Sequence, residues 1–424
     1  MAQIELPYGN RALPVTIPDE WLGEVTCPQA VPPAPDIPGL IAAALDHPIG
    51  SPSLSQLVGP GQTVALIVDD YTRKTPVPQI LPLMLQRLLS AGVMQEDICI
   101  VVALGTHRRM SQAEIVDKVG ADVAKGYKIV NIPSSVDSEM VYMGRSSNGI
   151  PAWVSRSVAD ADVRLALGMI SPHLVTGFSG GAKIILPGVC STLTVDTFHS
   201  READNPTNQL GKINAPLRRD LEQFVGERVP LDFIVNVITT PDDEIYQCVA
   251  GHFIEAHRAG VTYAQEVFGT YVKRQYPVVI ANCYPYQYDL WQSTKGLWCG
   301  ELLTANGGTL VLVTQAEEGN SNYPLFPHYI GRDPDELKVK LDASEVEDPK
   351  AAASGVLIGR MKQRFNLALV SDGLTQADAN IMGISYYDTV EAAIEAEVAR
   401  LPKSDQPGAV GVFTHAGIML PLVQ

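Results

Sequence analysis

Short apolar runs alternate with segments of helical periodicity in the first part of the chain. Four such runs predict strands buried on both faces, at residues 64–68, 98–104, 163–170 and 233–238. Residues 80–90 carry apolar side chains at helical spacing and end before Gly92, and residues 111–114 read as a capping box that opens a further helix. The alternation of strand and helix predicts a mostly parallel sheet.

A second set of the same kind begins near Tyr276. Its strands are predicted at residues 278–281, 309–313, 367–370 and 409–413. Helices are predicted at 289–305 and 388–401. We therefore expect two α/β domains with mostly parallel sheets, residues 1–270 and 271–424, and a site in the cleft between them.

Composition narrows the class of protein. The chain has 424 residues, 46% of them hydrophobic and 18% charged, which predicts two or three well-packed domains. A net charge of −16 disfavours a nucleic-acid partner. The six cysteines form no CxxC pair, and neither a signal peptide nor a membrane-spanning run is evident. These features predict a soluble cytoplasmic protein without a membrane partner.

One segment of the chain contains several residues that could act in catalysis or bind a ligand. His173 and His199 bracket Lys183, and a turn with Gly177, Gly180 and Gly181 precedes the lysine. Glycines allow close approach of the backbone to a ligand, and a neutral imidazole can move a proton or bind a metal. A lysine that follows such a turn can bind a phosphate or form a covalent bond with a ligand. We expect a ligand site here.

Two common motifs compete for the same turn. A phosphate-binding P-loop fits poorly, because Ala182 separates Gly181 from Lys183 and Ile184 replaces the expected hydroxyl residue. The turn does fit GxSxG, with Ser179 as the nucleophile of a serine hydrolase. That motif needs a helix after it, whereas residues 183–188 predict a short β-rich run. A serine hydrolase stays an alternative, as does a non-catalytic protein that binds a nucleotide-like ligand.

Polar clusters follow two of the predicted strands. Asp70 and Arg73 come directly after residues 64–68, and His107 comes directly after 98–104. An aspartate or a histidine in such a place is most often structural. Two clusters from neighbouring strands, together with the histidine and lysine segment, favour a shared cleft, since ligands bind beyond the carboxyl ends of parallel strands.

The second domain adds one informative run at residues 289–295. Gln292 and Lys295 share a helix face, and a lysine in the first turns opposes the helix dipole unless it meets an anion such as a substrate carboxylate. His252 and His257 are five residues apart, a poor spacing for two ligands on one helix, and we expect both at the surface.

In this order, the motifs DDYTR, GTHR, H-x9-K-x15-H around GFSGGAK, and WQSTK resemble those of the nickel-dependent lactate racemase family. The resemblance runs from about residue 60 to about residue 300. It implies a nickel pincer nucleotide, a pyridinium mononucleotide with a thioamide and a thiocarboxylate, made by separate cofactor-biosynthesis enzymes. The protein would then be a nickel-dependent isomerase.

The resemblance also implies roles for individual residues. Lys183 would be the covalent tether and His199 the nickel ligand, while Gly177, Ser179, Gly180 and Gly181 would lie around the nucleotide. His107 and His173 would exchange protons with the substrate, and Asp70 and Arg73 would orient them or the substrate. The substrate would contact Arg73, Trp291, Gln292 and Lys295.

The expected activity is racemisation or epimerisation of a 2-hydroxy acid by reversible hydride transfer from its α carbon to the cofactor. Two histidines suit this reaction, because each enantiomer needs a base for its hydroxyl proton. The substrate side departs from the family pattern at Lys74 and Trp291. We therefore expect a 2-hydroxy acid other than lactate, for example malate, an aryl lactate or a sugar acid. The oligomeric state is left open.

Overall fold

A six-stranded sheet forms the centre of the first half of the protein. The computed structural model describes residues 1–205, 207–320 and 323–423. All neighbouring strands of this sheet are parallel except the pair at one edge. In order across the sheet, the strands are Ile245–Gly251, Phe233–Thr239, Val163–Met169, Val64–Asp69, Ile98–Ala103 and Lys128–Val130. Apolar clusters on both faces bury the central strands, which explains their nearly continuous apolar sequences.

A second six-stranded sheet, parallel throughout, organises the other half. Its strands in order are Ser385–Tyr386, Asn366–Ser371, Thr304–Thr314, Tyr276–Asn282, Val410–Phe413 and Leu22–Thr26. The last of these comes from the N-terminal part of the chain. The boundary near residue 270 stays a prediction, but Leu22–Thr26 lies with the second sheet although it precedes that boundary in sequence.

Helices cover the two sheets, and four short strand pairs complete the described part of the chain. The longer helices are Ile37–Asp46, Val77–Ser90, Gln112–Val119, Thr192–His199, Pro216–Arg228, Glu255–Phe268, Leu290–Leu303, Pro334–Asp342, Pro349–Lys362 and Val390–Ala399. The shorter ones are Leu54–Leu57, Ala121–Gly126, Arg156–Ala159, Phe326–Gly331 and Gln376–Met382. The strand pairs are Ala2–Tyr8 with Arg11–Ile17, Met140–Arg145 with Pro151–Ser155, Pro172–His173 with Gly177–Phe178, and Gly269–Val272 with Leu420–Val423.

The predicted fold of two α/β domains is confirmed, and the predicted strands differ from the observed ones mainly at their ends. The capping box is also present, since Ser111 accepts a hydrogen bond from the Glu114 amide and Glu114 accepts one from the Ser111 amide. One local prediction is wrong. Gly181–Ile184 is a short 3-10 helix, not the beginning of a β-rich run.

The carboxyl ends of the strands in the first sheet face the start of helix Leu290–Leu303 in the second half. Ile170 and Phe178 from the first half share an apolar cluster with Leu290 and Trp298, so the two halves pack together beside this edge. A cleft lies there. In the residues that the structure describes, no helix is both long enough and apolar enough to cross a lipid bilayer.

Candidate active site

The cleft between the two halves gathers most of the side chains singled out in the sequence. From the first half these are Asp70, Arg73, His107, His173, Ser179, Gly180, Lys183 and His199, and from the second half Trp291, Gln292 and Lys295. Parallel strands bring their carboxyl ends to one edge, which explains why segments more than 100 residues apart in sequence meet here. Gly177 and Gly181 lie behind the wall of the cleft.

Asp70 and His107 form a tight pair. Oδ2 of Asp70 lies 2.6 Å from Nδ1 of His107, and Oδ1 of Asp70 accepts hydrogen bonds from the amide and hydroxyl of Thr72. Burial would raise the pKa of Asp70, but His107, Arg73 and the hydrogen bonds lower it to about 2. An ionised Asp70 keeps the proton of a neutral His107 on Nδ1, so Nε2 presents its lone pair to the cleft.

The lone pair on Nε2 of His107 accepts a hydrogen bond from the other side of the cleft. Nε2 of Gln292 lies 3.3 Å from Nε2 of His107, and the amide is the donor when His107 is neutral. Burial lowers the pKa of His107, and Asp70 opposes this shift. His107 is therefore a neutral ring oriented as a base, with a group of the second half at its basic nitrogen.

His173 has a different environment. Its Nδ1 lies 3.2–3.3 Å from the amides of Val175 and Thr176 and from the Thr176 hydroxyl. Burial, together with the charges of Lys183 and Arg73, lowers the pKa of His173 well below its ordinary value. The two histidines line the same cleft, but in the described structure a carboxylate supports only the ring of His107.

His199 offers a nitrogen with no partner in the described residues. Its Nδ1 bonds to Oε1 of Glu202, one turn further along the chain, while its buried Nε2 has no hydrogen-bond partner there. A carboxylate on Nδ1 fixes the tautomer that leaves the Nε2 lone pair free, which is the usual arrangement for a metal-binding histidine. Burial lowers the pKa of His199, so the ring is neutral and suited to bind a metal.

Lys183 lies in the same wall of the cleft. Burial, together with the charges of Arg73, Arg218 and Lys350, lowers its pKa well below the ordinary lysine value. A lysine with a depressed pKa has a larger fraction of neutral amine, which is the nucleophilic form. Its environment thus suits covalent attachment of a ligand.

The glycine-rich turn is held by protein groups. A Cβ on Gly177 would lie 2.0 Å from the carbonyl oxygen of Lys212, and the Gly181 amide donates to Oδ1 of Asn236 at 2.8 Å. Close packing against protein backbone and the contact with Asn236 thus account for these two glycines, and their approach to a ligand stays a prediction. Gly180 does line the cleft.

Arg218 braces this turn from behind. The guanidinium is fully buried and donates to the carbonyl groups of Thr176, Phe178, Ser179 and Gly180. Burial lowers its pKa to about 10, and the carboxylate of Glu222 opposes the shift. Arg218 carries no signal in the sequence, because its role depends on contacts with residues about 40 positions away.

The environment of Ser179 does not suit a nucleophile. Its hydroxyl donates to the Met169 carbonyl at 2.9 Å and accepts from the amide of Ser171 at 2.8 Å. No histidine nitrogen bonds to this hydroxyl in the described structure, and the 3-10 helix that follows is only four residues long. The hydrolase alternative lacks both its base and its strand–turn–helix setting.

Basic side chains dominate the rest of the cleft. Arg73 and Lys295 line it with Lys183, and each lowers the pKa of His173. Nζ of Lys295 lies 3.1 Å from the centre of the Tyr286 ring, and burial together with the charge of Arg73 lowers the pKa of Lys295 well below the ordinary lysine value. In a chain with a net charge of −16, such a cluster indicates a site for anionic ligands.

The positions of His257 and Lys74 bear on two points of the sequence analysis. His257 is 1% exposed, and its Nε2 bonds to the Ser179 carbonyl, so the expectation of a surface residue is wrong for it. The helical spacing gave no sign of this contact. Lys74, at which the sequence departs from the family pattern, is exposed and lies outside the wall of the cleft, near Asp243 and Tyr288.

The structure adds cleft residues that sequence analysis missed. Lys350 enters from the second half, and its Nζ bonds to Thr106 and Tyr323. Trp298 also lines the cleft, and its buried indole nitrogen has no hydrogen-bond partner among the described residues. Lys350 and Thr106 are 244 positions apart, so sequence spacing carries no signal of their contact.

Comparison with known proteins shows which proteins this chain resembles. Residues 8–211 match the model of the lactate racemase N-terminal domain. A lactate racemase of Lactiplantibacillus plantarum is 28% identical over 94% of this chain and 96% of its own length. A lactate racemase of Thermoanaerobacterium thermosaccharolyticum is 28% identical over 80% of this chain and 81% of its own length.

Two solved structures also resemble this chain. The lactate racemase apoprotein from T. thermosaccharolyticum superposes with a TM-score of 0.86 at 25% identity, covering 99% of this chain and all of that chain. A Thermotoga maritima protein superposes with a TM-score of 0.69 at 20% identity, covering 89% of this chain and all of that one, which shows the shared fold. The predicted resemblance to the lactate racemase family is confirmed, and with it the class of enzyme, an isomerase.

Proposed function

We propose that this enzyme racemises or epimerises a 2-hydroxy acid by hydride transfer to and from a nickel pincer nucleotide tethered to Lys183. One observation carries the proposal. Asp70 orients His107 as a base, and both residues line the cleft. The same cleft contains Lys183, whose pKa is lowered, and His199, whose Nε2 has no partner among the described residues. These are the elements that a covalently held metal cofactor and a proton transfer require.

The residues present fit the cofactor. His199 has a buried nitrogen without a partner among the described residues, and the Glu202 carboxylate on the other nitrogen favours the metal-binding tautomer. Lys183 would form the covalent tether, and the cations around it suit the negative charge of a mononucleotide. An imidazole nitrogen of His199 together with sulfur ligands of the cofactor would be a donor set that suits nickel(II).

When bound, such a cofactor supplies a reversible acceptor for the hydride of the substrate carbon. The protein would supply position and proton transfer. Nε2 of His107 would accept the hydroxyl proton of one enantiomer as Asp70 stabilises the resulting imidazolium. Arg73, Gln292 and Lys295, which meet from opposite sides of the cleft, would hold the substrate carboxylate, with Trp291 beside it.

His173 would serve the other enantiomer. Its ring lines the same cleft but has no carboxylate partner among the described residues, and the amides of Val175 and Thr176 donate to its Nδ1. The neutral ring therefore carries its proton on Nε2. Nε2 would be the atom of His173 that exchanges a proton with the substrate oxygen.

The experiment is a substrate panel. The chain is produced together with cofactor-biosynthesis enzymes, supplied with nickel, and incubated with single enantiomers of lactate, malate, phenyllactate and a sugar acid. Chiral chromatography then measures interconversion. We expect racemisation or epimerisation of at least one acid, with a preference for one other than lactate, whereas no conversion of any acid by cofactor-loaded protein would contradict the proposal.

A fluorophosphonate probe tests the hydrolase alternative on the same preparation. We expect no labelling, since the Ser179 hydroxyl is buried and bonded to Met169. Stoichiometric labelling at Ser179 would support a hydrolase.

A further inference from the structure

Lys350 is a buried cation without a carboxylate partner in the described structure. Its side chain is 5% exposed, and Nζ donates to Oγ1 of Thr106 at 2.6 Å and to the hydroxyl of Tyr323 at 2.7 Å. Both partners are hydroxyl groups, and no salt bridge of Lys350 occurs within residues 1–205, 207–320 and 323–423. Burial of a charged ammonium is costly unless an opposite charge compensates it.

The position of Lys350 in its own helix makes the charge less favourable still. It is the second residue of Pro349–Lys362, where the helix dipole disfavours a cation. Asp348, the N-cap, accepts from the Ala351 amide and is therefore engaged locally. Asp196 lies close enough for its pKa to be lowered by Lys350, but burial has the larger effect and raises that pKa to about 6.

The ammonium faces the active-site cleft. Lys350 lines it, and its charge lowers the pKa of His107, Lys183 and His199. The aromatic ring of Trp291 lies 4.5 Å from Nζ and helps to fix the side chain. An ammonium has three N–H donors, so two bonds to neutral hydroxyls leave a third for a ligand.

We propose that Lys350, with Thr106 and Tyr323, binds a second anionic group of the substrate, so that the enzyme acts on a 2-hydroxy acid with a second carboxylate. The inference rests on the proposed function, which assigns the carboxylate next to the reacting carbon to Arg73 and Lys295. Thr106 directly precedes His107 in sequence, which places the second site beside the proposed base. A distal carboxylate would supply the missing opposite charge.

A nucleotide phosphate has the same anionic chemistry, so the experiment separates the two sources. In the first arm, the chain is produced without cofactor-biosynthesis enzymes, and calorimetry measures binding of succinate and of butyrate, which lacks the second carboxylate. We expect wild type to bind succinate at least about tenfold more tightly, and Lys350→Met to lose this preference. Lys340→Met, at an exposed lysine of the same half, is the matched control.

In the second arm, cofactor-loaded protein is assayed with malate and with 2-hydroxybutyrate. We expect Lys350→Met to lower kcat/KM for malate by roughly 10- to 100-fold more than it lowers kcat/KM for 2-hydroxybutyrate, which has no second carboxylate. Lys350→Gln removes the charge but retains a side chain that can hydrogen bond to Thr106 and Tyr323. We expect the same effect on kcat/KM from this variant, which serves as a second test in case the Met variant misfolds. Melting curves of all variants accompany both arms.

Each outcome has one interpretation. Equal binding of succinate and butyrate by wild type overturns the proposal. An unchanged malate rate in both Lys350 variants, or an equal loss of kcat/KM for malate and 2-hydroxybutyrate, overturns it as well. Loss of the covalent mass adduct in these variants would assign Lys350 to the cofactor phosphate and overturn it too. If no acid is racemised but Lys350-dependent preference for succinate persists, the anionic site stands and the proposed function fails.

Discussion

Oδ2 of Asp70 lies 2.6 Å from Nδ1 of His107, and this pair joins the ends of two neighbouring parallel strands, Val64–Asp69 and Ile98–Ala103. The contact fixes the ring so that Nε2 faces the cleft. In the proposed reaction this nitrogen takes the hydroxyl proton, so the strength of the base depends on Asp70.

Replacement of Asp70 by Asn tests this dependence. We expect Asp70→Asn to lower kcat by roughly 100- to 10,000-fold, because the imidazolium loses its stabilising charge. The base acts when deprotonated, so kcat/KM rises with pH through the pKa of His107, which burial already lowers. Asp70 raises that pKa, and its loss should therefore shift the acidic limb to lower pH. An unshifted limb would contradict the assignment.

The two histidines should differ in their effect on single turnovers. His107→Ala and His173→Ala should both lower interconversion in the two directions equally, because a catalyst cannot change the equilibrium constant. With loaded enzyme in excess over one enantiomer, we expect 2-keto acid to form from opposite enantiomers in the two variants. Rapid quench and mass spectrometry measure it. The same enantiomer preference in both variants would remove one histidine from proton transfer.

Nickel affinity should depend on Glu202 as well as on His199. The Glu202 carboxylate holds the proton of His199 on Nδ1, so Glu202→Gln should lower nickel affinity by roughly 10- to 100-fold. Metal content after dialysis against a graded chelator is the measurement. Glu255→Gln, at an exposed glutamate, is the matched control. Glu222 is unsuitable as a control because it contacts Arg258. Equal nickel retention by Glu202→Gln and wild type would show that Glu202 does not orient the ligand.

The glycine-rich turn should lose stability without Arg218. We expect Arg218→Met to lower the free energy of unfolding by about 2–4 kcal/mol, because several buried carbonyl groups lose a charged donor. Arg219→Met, at the exposed neighbouring position, is the matched control and should change it by less than about 0.5 kcal/mol. Urea denaturation followed by circular dichroism measures both. Similar values for the two variants would refute the bracing role.

Local sequence predicted the parts of the site that depend on strand ends. Asp70, Arg73 and His107 follow two apolar runs that proved to be adjacent parallel strands, and Gln292 and Lys295 lie on the first turns of a helix as the pattern indicated. Such positions are fixed by the local pattern and by the geometry of a parallel sheet.

Tertiary contacts between residues far apart in sequence could not be predicted from the sequence. Lys350 reaches Thr106 from the other half of the protein, and His257 packs behind the turn at Ser179. The glycines of the turn were assigned to ligand approach, whereas Gly177 is required by the neighbouring backbone of Lys212. A glycine pattern predicts close approach but does not say what approaches.

The covalent state of Lys183 tests the central claim most directly. The chain is produced with and without cofactor-biosynthesis enzymes, and intact mass and peptide mapping are compared for wild type, Lys183→Ala and the surface control Lys340→Ala. The account predicts one adduct, on the peptide that contains Lys183, in wild type and the control only, and racemisation only by protein that carries it. Racemisation of a 2-hydroxy acid by protein with unmodified Lys183, or at full rate by Lys183→Ala, would contradict it.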